Sequence, residues 1–496
     1  MSKSFINIMD KLAYIINFKF GITQIVQTLF YIFPLSFIIG NMAININLLL
    51  FLIFSLFLIK KKHFTFRFKN LYLFLIAFFL YLFLSTLIQY QAPGMLNEST
   101  KGLALENMPI FKSFTLFRFL ILIFVVDILF FNNVLNLKKF LISSLFCTTF
   151  VSLDIIFQYI VGFDLFGYKG IEEAWFSGPF GDELIAGGYL QKFCFFSIFS
   201  IYELFKKKKI STLLLIFIIV LHATGMLLAG NRMPMILFMF GCGIIILFIK
   251  NLRLIMISSL IIFSSIFLLI SKNDEMMKNR YSIFLYEFNR IFEPKQTKKV
   301  FPKIYNENFA TVTEFVKNYN NTYFENFYPK TYNENFSNVQ FLRSTGHSKI
   351  YLTALNVSKM QPILGFGLKS FKVKCWSTFS AEELTANKIG AFNVGCSNHP
   401  HNYYLEILVE AGIIGLILIM FFFIIIFKKS FVYLCKYNGI NDNNKYLLLP
   451  MIIIFFMEIW PIRTSGSFFT TFNASLIWLN IAILHALLFR REDELV

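Results

Sequence analysis

Residues 398–429 read NHPHNYYLEILVEAGIIGLILIMFFFIIIFKK. Between Leu405 and Phe427 the only charged residues are Glu406 and Glu410, and the run closes on Lys428 and Lys429. About twenty apolar residues, rising 1.5 Å each as a helix, cross a bilayer core roughly 30 Å thick. The run lacks the in–out alternation of a barrel strand. In hydrocarbon a backbone must satisfy its own hydrogen bonds, which a helix does. The stretch is therefore expected to span a membrane over 404–427.

Runs of the same kind recur along the chain. They predict spans at 21–40, 43–59, 71–89, 113–131, 139–162, 185–204, 210–229, 233–249, 254–271, 404–427, 447–464 and 474–489, about twelve in all. Asn45 and Asn47 interrupt the start of the second. With 57% hydrophobic and 15% charged residues, the chain has too little charge to coat a soluble surface. The fold class is an all-α integral membrane protein. Its 67 phenylalanines carry no chemistry alone.

A net charge of +18 would suggest nucleic acid in a soluble chain. Here the cations sit in alternate short loops: Lys60 to Lys62, Lys138 and Lys139, Lys206 to Lys209, Lys250 and Arg253, Lys428 and Lys429, Arg490 and Arg491. The loops between them are poor in Lys and Arg. This positive-inside pattern places both termini in the cytoplasm and makes a nucleic-acid partner unnecessary. The opening MSKSFINIMDKLAYIINFKF has no small-residue cleavage site, so no removable signal peptide is expected.

The chain thus divides into spans one to nine (1–271), a large outer loop (272–403), and spans ten to twelve with the C-terminus (404–496). A loop that long should carry structure or function. Its first part holds a duplication, Phe301 to Phe309 against Tyr328 to Phe336. Later, Ser348 to Met360 has helical apolar spacing, ended by Pro362, Gly365 and Gly367. Ser380 and Glu383 form a capping box for a second short helix. Cys375 and Cys396 share this outer segment, while the other four cysteines fall in spans or on the inner side. Spacing leaves a disulfide and two free thiols equally open.

Chemistry concentrates at His399-Pro400-His401-Asn402. Pro400 suits a first helical turn. The unpaired N–H groups there would favour phosphate and keep a histidine neutral, as a general base must be. Asn402, Glu406 and Glu410 recur every four residues, on one face. Carboxylates entering a membrane on one stripe need a cavity or a partner; the plainer reading is an interfacial histidine with snorkelling acids. Arg118, Asp154, Lys192, Glu458 and Arg463 fall in the outer halves of their spans. Asp154 and Lys192, on adjacent spans, are expected to pair. Arg118 has no obvious acid nearby. His222 and His485 are expected to be packed and hydrogen-bonded.

His401-Asn402, nine residues, then Gly412-Ile-Ile-Gly415 resembles the His-Asn…Gly-x-x-Gly signature of the O-antigen ligase and polymerase family. Arg343, Ser348-Lys-Ile-Tyr351 and Pro362-Ile-Leu-Gly-Phe-Gly367…Phe371 are similar to its Arg…aromatic…Pro-x-x-Gly-x-Gly…Phe stretch. Gly230-Asn231-Arg232 resembles its Ser-Arg turn, with Asn231 where serine is usual. Asp154…Gln158…Gly162-Phe-Asp164 and Ser177-Gly-Pro-Phe-Gly-Asp182 look like the loop before the sixth span.

The resemblance implies a GT-C-like fold in the bacterial inner membrane. It implies transfer of a glycan from an undecaprenyl-diphosphate carrier to an acceptor hydroxyl at the periplasmic face. The acceptor would be lipid A–core in a ligase or a second lipid-linked glycan in a polymerase. His401 would be the base, and Arg232, Arg343 and Arg118 would bind the diphosphate. His399, Asn402, Glu406, Glu410, Asp154 and Lys192 would support them. No metal or other cofactor is expected, and inversion at the anomeric carbon is. The rival readings are a polytopic transporter, for example of an anion such as bicarbonate, and a non-catalytic assembly partner. A transporter usually shows two related halves, and no such duplication is visible.

Overall fold

The computed structural model describes residues 21–64, 66, 68–91, 109–170, 175–205, 210–279, 281–282, 346–375, 395–436, 445–464 and 466–490. Among the described residues the named secondary-structure elements are all helices, and Phe163 and Lys169 form an isolated antiparallel bridge. Arg343, the 301–336 duplication, the Ser380/Glu383 box, Lys206 to Lys209 and Arg491 lie outside the described residues.

Each predicted span falls on a helix. The first is broken: α1 (Ile22–Tyr31) and α2 (Phe33–Ile39) meet at 54°. Pro34, at the start of α2, has no N–H to continue the ladder. Gly40, at φ 119°, turns the chain into α3 (Asn41–Lys62). Asn47 does not interrupt α3; its Nδ2 donates to Leu29 O at 3.2 Å, beside the α1–α2 break. Then come α4 (Leu71–Gln91), α5 (Pro109–Thr115) running into α6 (Phe117–Phe131), α7 (Leu137–Val161), α8 (Ala186–Phe205), α9 (Ile210–Leu228), α10 (Arg232–Phe248) and α11 (Lys250–Asn273). Between these and the last helices lie α12 (Gly346–Met360) and the short α13 (Phe371–Lys374). The last helices are α14 (Tyr403–Lys436), α15 (Leu449–Glu458) and α16 (Thr471–Arg490).

Eight helical segments among the described residues are long and apolar enough to cross a membrane, or nine if α1 and α2 count as one span. The three predicted spans outside that set are α8, α10 and α15. α10 has 17 residues and α15 has 10. α8 has 20 but carries Gln191 and Lys192, and it is buried nearly all round from Ala186 to Tyr202. A helix wrapped by protein has no lipid to satisfy, so it tolerates polar residues. α11 is the opposite case, with only 17% of its apolar window buried. Phenylalanines fill the core between these helices: Phe30 packs on Phe33, Phe51, Phe130 and Phe140, and Phe37 packs edge-on against Phe193 and Phe472.

α14 is not continuous. Gly412 sits at φ 63° and ψ −169°, which breaks the helical ladder. The 362–367 coil fills the gap. Phe366 N donates to Val409 O and Gly367 N to Glu410 O, each at 2.9 Å, and Ile413 N donates to Pro362 O at 2.8 Å. From the other side Ser85 Oγ on α4 donates to Leu364 O at 2.8 Å. Both glycines are required by proximity. A Cβ on Gly365 would lie 2.4 Å from Gly412 N, and one on Gly412 would lie 2.2 Å from Ile363 O. The Pro-x-x-Gly-x-Gly and Gly-x-x-Gly patterns are therefore two halves of one contact.

Gly412→Ala should accordingly lose at least about 2 kcal/mol of stability, combining left-handed strain with overlap. Gly243→Ala on α10, where a Cβ meets nothing within 4 Å, should be neutral or slightly stabilising. Thermal unfolding in detergent compares the two; equal melting temperatures would refute the docking contact.

Candidate functional site at the head of α14

The site is built where the 395–402 coil enters α14. Asn402 is its N-cap: Oδ1 accepts from Tyr404 N at 3.0 Å and Leu405 N at 3.2 Å, while Nδ2 donates to Pro461 O at 2.8 Å. Pro400 and His401 therefore precede the helix, contrary to the expected first-turn placement. Two of the N–H groups expected to await a phosphate are already taken by Asn402. His401 has φ 57°, the left-handed region, which histidine visits more readily than most residues.

Three imidazoles meet here. The His401 ring lies 4.2 Å from that of His399 and 5.1 Å, edge-on, from that of His347 on α12, centroid to centroid. Burial pushes the His401 imidazole down to about 3, and the neighbouring His399 and His347 push it the same way. Burial, then Lys369 and His347, lowers His399 to about 4. Burial also lowers His347. The neutral base expected from the helix dipole is present, but its causes are desolvation and crowding.

These shifts carry a stability consequence. An unfolded histidine titrates near 6.5, so between that pH and about 3 to 4 the unfolded chain binds more protons than the folded one. The melting temperature should be level above about pH 7 and fall on acidification through this window. His399→Gln should flatten part of the slope; an unchanged slope would contradict the assignment.

Below the histidines, Glu406 and Glu410 are buried at 1% exposure each, so they do not snorkel. Glu406 accepts from Ser467 Oγ at 2.5 Å and Phe468 N at 2.6 Å, which ties α14 to the turn before α16. Glu410 Oε2 has no hydrogen-bond partner among the described residues. Lys369, at φ 64°, is brought against this stripe by the 362–370 coil. Its charge acts on Glu406, Glu410 and His399.

The remaining predicted residues separate. Asp154 does not pair with Lys192. Asp154 Oδ1 accepts from Leu165 N at 2.9 Å, and Gln158 holds Tyr168 O at 3.0 Å and Gly178 N at 2.8 Å. These residues brace the 162–181 loop. Lys192 instead binds Glu458 Oε1 at 2.7 Å, and Arg463 Nη1 binds the other Glu458 oxygen at 2.8 Å. Arg232 begins α10 and is half-buried. The preceding Asn231 clamps α8, accepting from Gly187 N at 3.2 Å and donating to Leu184 O at 3.3 Å. Arg118, on α6, lies 4.8 Å from the Phe119 ring, with Nε buried and unpartnered among the described residues. His222 is buried between Ser152 Oγ and Ser197 Oγ, each at 2.8 Å, as expected. His485 is packed on Phe489, but neither ring nitrogen is hydrogen-bonded among the described residues.

Sequence reasoning missed His347 and Lys369. His347 immediately precedes the noted Ser348-Lys-Ile-Tyr351, and Lys369 lies two beyond Gly367, but neither belongs to a recognised pattern. Among the described residues no group of three or more His, Cys, Asp or Glu side chains is arranged to hold a metal ion.

Fold and site together define a multi-pass helical membrane protein with half-buried imidazoles at the head of one span. Residues 215–420 match a family model described as O-antigen ligase. The matched segment runs from α9 to beyond the α14 break, and it takes in Arg232, the three histidines and both glycine patterns. This match supports the O-antigen ligase and polymerase family, and with it a glycosyltransferase-like enzyme. No curated protein matches it.

Proposed function

We propose that this protein moves a glycan from an undecaprenyl-diphosphate carrier to an acceptor hydroxyl at the periplasmic face of the bacterial inner membrane. The proposal includes twelve crossings in a GT-C-like arrangement with both termini cytoplasmic. One observation carries it: a neutral imidazole, His401, held beside two others at the head of a membrane helix, within the family match.

In this reading His401 takes the proton of the acceptor hydroxyl as its oxygen forms a bond to the anomeric carbon. The bond from that carbon to the diphosphate breaks on the opposite side, which inverts the centre. The departing diphosphate takes the electron pair and is a good leaving group already, so the charge is met by side chains and no metal step is required. Arg232, Arg343 and Arg118 are the guanidinium candidates, since they stay charged and can bind phosphate oxygens in pairs. Lys369, beside His399, joins them. Asn402 holds the histidine turn, and Glu406 anchors the helix beneath it. His399 and His347 keep the base neutral. Asp154 and Lys192 are structural in this account.

The acceptor is lipid A–core or a second lipid-linked glycan, and the His-Asn-x9-Gly-x-x-Gly spacing favours the former. A lipopolysaccharide gel of a deletion strain tests this. A ligase predicts loss of all polymer on lipid A–core, and a polymerase predicts a single-repeat product. An unchanged pattern would contradict both.

A further inference from the structure

The outer region has its own small core. Ile350, Ala354 and Val357 of α12 and Phe371 of α13 pack with Val409 of α14, apart from the main core of the membrane helices. Cys375 and Cys396 belong to it. Cys375 follows directly on α13, and Cys396 opens the 395–402 segment that carries His399 and His401. Both are thiols here, exposed 0% and 1%, and the Cys396 thiol is hydrogen-bonded to Cys375. The other four cysteines, 147, 194, 242 and 435, lie on α7, α8, α10 and α14.

So small a core gains little from burial, and small outer structures are commonly fastened covalently. The segment that needs fastening bears the histidines, one of them in a left-handed conformation that the surroundings must hold. Two buried thiols already in contact need little movement to join.

We propose that Cys375 and Cys396 form a disulfide that fastens the histidine-bearing segment to α13. The S–S bond forms as the two thiols give up two protons and two electrons. The oxidant is the disulfide of a thiol oxidoreductase in the outer compartment. It passes through a mixed disulfide and leaves as a dithiol. On the cytosolic side the pair would stay reduced. The inference does not depend on the transferase reading, because its primary readout is thiol chemistry.

The test is alkylation of the full chain, extracted from membranes and denatured with iodoacetamide present. Of six cysteines, 375 and 396 should stay unmodified until a reductant is added, and their peptides should be recovered linked. Alkylation of both without reductant would overturn the proposal. In Cys375→Ser, Cys396 should become alkylated without reductant; continued protection would assign it another partner and equally overturn the pairing. Reductant should lower the melting temperature of the native chain but not of the Cys375→Ser/Cys396→Ser variant. An equal response in both would remove the fastening role.

Discussion

His401→Ala is expected to cut glycan transfer about 10²- to 10⁴-fold, the usual contribution of a positioned general base, while leaving the amount of folded protein unchanged. His401→Asn should lose as much. Asparagine is at ease in the left-handed region, so this variant separates lost chemistry from the strain at φ 57°. The free enzyme holds this imidazole down to about 3 by burial and by the two neighbouring histidines. Its neutral form therefore persists far below neutrality, and kcat/KM should show no fall from this group until the pH approaches about 4. An arriving diphosphate adds negative charge and favours the imidazolium, which strengthens the base when the acceptor needs it. Transfer assays on membranes with matched protein levels measure the loss. A transporter would instead lose solute uptake, and an assembly partner would lose little.

Glu458→Ala is expected to have the largest effect on stability, about 3–5 kcal/mol, because it strands buried charge. Glu458 is 2% exposed and binds Lys192 at 2.7 Å, Arg463 at 2.8 Å and the Tyr403 hydroxyl at 3.2 Å. Removing it leaves two cations facing each other inside protein. Lys192→Met should cost far less, since Glu458 keeps Arg463 and methionine fills similar space. Arg463 also lies 4.2 Å from the Tyr403 ring, and its carbonyl accepts from Tyr351 on α12 at 2.7 Å. The cluster thus ties α8, α15 and α12 to the residue after Asn402. Thermal unfolding in detergent should rank wild type, Lys192→Met and Glu458→Ala in falling order. Equal loss in the two variants would mean the carboxylate is not the hub.

The helical class and the positions of the apolar helices were legible because lipid imposes length and continuity on every crossing segment. α8 shows where that rule stops: it meets protein on all sides, so Gln191 and Lys192 lower its apolar character without harm. The charge pairing was misread because neighbouring spans suggested Asp154 for Lys192, while the true partner lies on α15, far along the chain. The histidine turn was legible in identity but not in conformation. Pro400 permits a first helical turn, yet the Asn402 side chain caps three residues later than that placement requires. The two glycine patterns read as separate family marks. Only the packing makes them one contact, since the backbone of 363–365 occupies the space that a Cβ at 412 would need. His347 and Lys369 reach the site through coil and helix placement, which periodicity does not report.

The most direct measurement is transfer by the purified, reconstituted protein, given an undecaprenyl-diphosphate-linked glycan and a lipid acceptor. The account predicts glycosylated acceptor and released undecaprenyl diphosphate, both lost in His401→Asn. Transfer that survives in that variant would contradict it, as would a folded wild-type protein that leaves both the lipid A–core and the lipid-linked glycan acceptor unmodified.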